Sequence, residues 1–152
     1  MAAFRFRLDP VIRHRQMIED EKKRDMAVVV QEQVGIQEKL RRLQTDLTDD
    51  KRMLNDDLHG SIDVTRLRQH ALYSGFVYAR AEELAADLLK VEKRLQEARA
   101  KLLEATKARK AVELLRERAY ERWLEEQNRR EANELDEIAT QRHARRAFGD
   151  LL

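Results

Sequence analysis

Between Leu84 and Val112, apolar side chains return at alternating steps of four and three: Leu84, Leu88, Val91, Leu95, Ala98, Leu102, Ala105 and Val112, with Arg109 the polar member of the series. A period of 3.5 residues keeps one helix face against a partner, whereas a lone straight helix drifts off such a seam by about 20° per heptad. The stretch therefore predicts a coiled coil, and its partner has to lie elsewhere in the chain. Ile36, Leu40, Leu43, Leu47 and Leu54 repeat the spacing, with Asp50 where an apolar residue is due. Nearer the N-terminus, Val11, Ile18 and Val29 keep seven- or eleven-residue steps, and Arg15, Lys22 and Asp25 fall between them. An eleven-residue step locally relaxes a left-handed supercoil.

Start and stop signals bound the two helices. Asp9 before Pro10 suits an N-cap followed by the first helical position, and the alternating Phe4, Phe6 and Leu8 leave the conformation of the preceding arm open. Gly60 suits the residue just past a helix, with Ser61 or Asp63 capping the next. The expectation is one all-α coiled-coil domain over residues 1–152, with a helix at about 10–58, a turn at 59–62, a second, longer helix at about 63–146 and a frayed tail at 147–152. The helices form an antiparallel hairpin, with the second loosened near Ser74-Gly75.

Two registers remain open. A reversal centred on Gly60 sets Ile36–Leu54 against roughly residues 66–84; one centred near Arg68 sets it against roughly 82–100 and matches strong seam with strong. In either, Leu115, Ala119, Trp123, Leu135 and Ile138 lie where the first helix is running out, so the end of the second helix is thinly covered.

Composition agrees with long helices. Charged residues make up 39% of the 152 and aromatic residues 5%, with one proline, which leaves little for a thick core. The formal net charge of +2 does not argue for nucleic acid. The absence of cysteine removes disulfides and thiolate chemistry and reads as a reducing cytoplasm. MAAFRFRLDP has no signal-peptide h-region, and the longest apolar run, Met26–Val30, is far too short to span a membrane.

His14, His59, His70 and His143 are far apart and read as solvated, so no metal site is expected. Phosphate-binding and nucleophile-elbow glycine motifs are absent. Paired carboxylates such as Glu82-Glu83 have no enclosed pocket in which to act as acid and base. No catalytic residue and no cofactor is expected.

Three features stand out. Tyr73, Phe76 and Tyr78 cluster near the turn, where they either plug the end of the hairpin or anchor a partner, and Phe76, Arg80 and Glu83 share one helix face. Arg5, Arg7, Arg13 and Arg15 against Asp9 give residues 1–15 a net charge of +3, residues 138–152 carry +2, and residues 44–63 carry −4. Helix dipoles account for Arg142–Arg146 but not for arginines at a helix start or aspartates at a helix end. Trp123 with Tyr120 is either coiled-coil core or a contact with another chain.

The opening FRFRLDPVIRHRQMIEDEKKRD, the segment SIDVTRLRQHALYSGFVYAR after the turn and the tail RREANELDEIATQRHARR resemble the FliJ family of the flagellar type III export apparatus. YscO-like stalk proteins of virulence injectisomes are the close alternative. The resemblance implies a non-enzymatic, rotary-stalk-like coiled coil in the cytoplasm, peripheral at the inner-membrane export apparatus. It implies binding to the hexameric export ATPase, coupling to the cytoplasmic region of the membrane export gate, and recycling of export chaperones.

Carried onto this chain, it assigns Arg5, Arg7, Arg13, Arg15, Arg142, Arg145 and Arg146 to the ATPase and Leu43, Leu47, Tyr73, Phe76 and Arg80 to the gate. Asp46 and Asp50 put the first helix's share of the gate contact in question. Rival expectations are a generic coiled-coil adaptor, a basic-ended coiled coil that binds nucleic acid, and weak self-association in which Ala119–Ile138 pairs with its copy.

Overall fold

The computed structural model describes residues 3–149. Two helices carry them: α1, Asp9–Asp57, and α2, Val64–Gly149, of 49 and 86 residues. The chain is all-α, its two long helices pair antiparallel as a coiled-coil hairpin, and the second is the longer. Within the tail expected at 147–152, α2 continues through Gly149, and residues 150–152 lie outside the described residues.

The reversal is built from two local devices. Gly60 adopts φ +91°, the left-handed region where a Cβ is unfavourable. Three residues on, the Asp63 carboxylate accepts a hydrogen bond from the Thr65 amide at 2.9 Å and so caps α2. At the other end, α1 starts at Asp9 with Pro10 in its first turn, but the Asp9 side chain, expected as an N-cap, accepts instead from Arg116 Nε at 3.0 Å. The Ile12 amide donates to the Leu8 carbonyl at 3.1 Å, so Leu8 holds the cap position and Asp9 already lies in the first turn.

The paired helices form two compact units, Ile18–Ala105 and Met1–Met17 with Thr106–Leu152. In the first, Val29, Val77, Leu84, Val91 and Leu95 are buried, with Met26, Val30 and Ile36 packed against the cluster of Val29, Val91 and Leu95. Leu40, Leu43, Leu47 and Leu54 of α1 are half-buried at the same heptad spacing.

Polar pairs fix which residues face each other. Arg94 binds Glu32, Arg66 reaches Asp57 at 3.2 Å, and His70 lies between Asp50 and Asp57. These pairs centre the reversal on the Gly60–Asp63 turn, close to the narrower register. Ile36–Leu54 therefore faces a stretch that begins near His70. α2 passes Ser74-Gly75 without the expected loosening: Ser74 sits half-buried on the seam and Val77, one turn on, is 3% exposed. An exposed glycine costs a helix about 1 kcal/mol, which packing on both sides of it offsets.

In the second unit, Val112 is buried and Val11, Ile12, Arg15, Ala119 and Trp123 are half-buried. The N-terminal arm folds onto this pair. Phe4 meets Tyr120 edge-on at 5.2 Å and Trp123 at 5.7 Å, Tyr120 stacks on Trp123 at 5.8 Å, and the Arg116 guanidinium lies over the Phe4 ring. From Asn128 to Gly149 every described residue is exposed.

Leu95→Ala removes a side chain that is 4% exposed in the central cluster and should cost about 2–5 kcal/mol. Leu89→Ala, at a position 69% exposed, should stay within about 0.5 kcal/mol. Urea unfolding followed by circular dichroism checks both, and equal losses would contradict the seam.

Candidate functional site

Two helices wound together expose most of their side chains, so the candidate sites are surfaces. Arg5 and Arg7 are exposed on the arm, whereas the alternate residues Phe4 and Phe6 are half-buried, Phe4 against Tyr120 and Trp123. Arg13, also exposed, lines an open groove of about 830 Å³ with Asp9, Ile12, Lys110, Glu113, Leu114, Arg116, Glu117 and Tyr120. Arg15 differs: it is half-buried and donates to the Ala108 carbonyl, a contact that ties α1 to α2.

Arg142, Arg145 and Arg146 are exposed near the end of α2. The structure does not bring them beside the arm. Phe4 docks at Tyr120 and Trp123, and at 1.5 Å per residue Arg142 lies roughly 28 Å further along α2. The intervening 121–137 segment holds seven carboxylates against three arginines. Basic charge thus forms two separate patches with an acidic stretch between them.

Tyr73, Phe76, Tyr78 and Arg80 face water: Tyr73 is 38% exposed, Phe76 67% and Tyr78 55%. These aromatics do not plug the hairpin, because the seam is occupied by His70, Ser74 and Val77 on another face of α2. Leu72, 69% exposed and one turn before Phe76, extends the apolar surface; its i, i+4 spacing to Phe76 was the available signal in the sequence. Leu43 and Leu47 are half-buried on the seam. Leu43 and Arg80 line one shallow groove with Lys39, Arg42 and Leu84, so these two are brought together across the helices, while Arg80 also binds Glu83 at 2.8 Å.

His70, expected as a solvated residue, is instead the centre of a charged bracket. Its Nδ1 lies 2.8 Å from Asp50 Oδ1 and its Nε2 2.9 Å from Asp57 Oδ2. Only the imidazolium can donate from both nitrogens. Hydrogen bonding to Asp57, then to Asp50, holds the His70 pKa above its ordinary 6.5, and His70, aided by Arg66, holds Asp57 below 3.8. Asp50, which breaks the apolar pattern of α1, has its counterpart here.

A model of the family described as Flagellar FliJ protein matches residues 4–148, from the docked arm to the last turn of α2. The chain belongs to the FliJ family. No curated protein and no solved structure gives a match. Family membership makes this FliJ chain a component of the flagellar export apparatus, concerned with protein transport. No helix among its described residues is long and apolar enough to cross a membrane.

The bracket in this FliJ chain has a definite pH signature. His70 has a raised folded-state pKa, so its contribution is complete below 6.5 and is lost as pH rises through the higher folded value; Asp57, with a lowered pKa, contributes fully above 3.8 and loses that as pH falls through its lower folded value. The stability difference between the native chain and His70→Gln should therefore be largest between 3.8 and 6.5 and shrink toward alkaline pH. Melting curves across that range check this, and a difference that grew with rising pH would contradict it.

Proposed function

We propose that this chain acts as the stalk-like coiled coil of the flagellar export apparatus, binding the hexameric export ATPase, linking it to the cytoplasmic region of the export gate and assisting the recycling of export chaperones. The observation that supports this most is the family match over residues 4–148, which takes in both helices and the turn. The role is mechanical. Within each unit two helices packed along a seam resist bending, and binding partners at exposed faces requires no catalytic residue.

In this reading the Met1–Met17 and Thr106–Leu152 unit engages the ATPase through exposed arginines, Arg5, Arg7 and Arg13 on one patch and Arg142, Arg145 and Arg146 on the other. Exposed arginines favour rapid, salt-sensitive association with a carboxylate-rich surface. Arg15 acts by holding the helices together through Ala108. The Ile18–Ala105 unit offers the gate Tyr73, Phe76 and Arg80, with Leu43 and Leu47 supporting them from the seam. The place of action is the cytoplasmic face of the inner membrane.

Mixing the purified chain with the export ATPase and measuring ATP hydrolysis and hexamer formation tests the reading. Stimulation is expected, reduced by Arg5→Glu with Arg7→Glu and spared by Phe76→Ala, which should weaken binding to the gate's cytoplasmic region. No stimulation by a chain shown to be helical by circular dichroism would overturn the ATPase role. The reverse assignment of the two sets of variants would invert the placement of partners.

A further inference from the structure

Beyond Gln127, α2 loses its cover: all of Asn128–Gly149 is exposed, with Leu135 at 67% and Ile138 at 49%. Charge on this part of the helix is segregated. Residues 121–137 hold seven carboxylates and three arginines, whereas 138–149 hold three arginines and no carboxylate. The helix dipole acts only over the last turn and cannot account for acids that stand three or more turns from the end of an 86-residue helix.

The same segment carries a heptad stripe of its own. Leu124, Asn128, Glu131, Leu135, Ile138, Arg142 and Arg145 follow one another at steps of four and three. The covered face of this region runs through Ala119 and Trp123, so a stripe that includes Leu124 lies about 100° around the helix from it. A partner on the stripe leaves the contact with α1 and with the Phe4 arm intact.

We propose that this stripe pairs antiparallel with the same stripe of a second copy of the chain. Around a two-fold axis between Leu135 and Ile138, Leu135 of each copy faces Ile138 of the other, Glu131 faces Arg142 and Asn128 faces Arg145. Glu125 and Arg146 come opposite each other at the flank, and Ala132 and Ala139 beside the centre let the backbones approach. The acidic block of each copy thus covers the basic block of the other, so this dimer and an ATPase contact through Arg142, Arg145 and Arg146 exclude each other. A parallel pair in register sets Glu131 on Glu131 and Arg142 on Arg142, which repels, so charge selects the antiparallel arrangement. With two large apolar side chains per copy at the centre the dimer is weak and dissociates on dilution.

Sedimentation equilibrium of the full chain alone, at low salt and over a range of concentrations, tests this without the ATPase. The apparent mass should rise from 18.0 kDa toward double that value. Glu131→Arg alone and Arg142→Glu alone should each hold the chain monomeric, because each sets like charges opposite each other twice. An equimolar mixture of the two variants should restore the dimer, because each reversed side then meets its complement. Circular dichroism establishes that both variants stay helical. A native chain that is monomeric at every concentration, a dimer unaffected by either reversal, or a mixture that fails to associate would each overturn the proposal.

Discussion

Everything in this chain depends on a 3.5-residue seam held between two helices of unequal length. Neither helix has a core of its own: the buried apolar residues are few, and Val29 of α1 is buried only because Val91 and Leu95 of α2 lie against it. Helices of this length and polarity gain their stability from such packing more than from intrinsic propensity. The seam also decides what is left for partners, since a side chain one position off it, such as Phe76 beside Val77, is given to solvent.

Polar pairs in the seam and at its exposed flanks supply what apolar residues cannot, a choice among registers. Leucine against leucine is nearly indifferent to a slip by whole heptads, whereas an imidazolium between two carboxylates has one acceptable position. His70 between Asp50 and Asp57, and Arg94 on Glu32, mark that position in the Ile18–Ala105 unit. In the other unit Arg116 on Asp9 and Arg15 on the Ala108 carbonyl do so. Glu19, 4% exposed and bound to Lys23 at 3.1 Å, is a further charge placed in the seam of α1.

Much of this was legible in the sequence, because periodicity is a local property. The seam from Leu84 to Val112, its counterpart from Ile36 to Leu54, the turn at Gly60 and the greater length of the second helix could all be read directly. What could not be read depends on pairs distant along the chain. The register stayed open because apolar spacing permits both alternatives, and His70 looked solvated because Asp50 and Asp57 reach it only once the helices pair. Phe4 shows the same limit: its position on Tyr120 and Trp123 is a tertiary contact that the FRFR alternation does not specify. The separation of Arg5 and Arg7 from Arg142, Arg145 and Arg146 likewise depends on where the arm docks on α2, which leaves the seven carboxylates of 121–137 between the two basic patches.

The most direct test is the register itself. The chain has no cysteine, so spin labels can be placed at two introduced cysteines without interference. Labels at Gln37 and Asp87 should lie close together across the paired helices, and labels at Gln37 and Arg99 should be farther apart by up to about 18 Å, the rise of twelve helical residues. Measured distances in that order support the account. The shorter distance between Gln37 and Arg99 would contradict it, and with it the placement of the exposed surfaces of the Ile18–Ala105 unit.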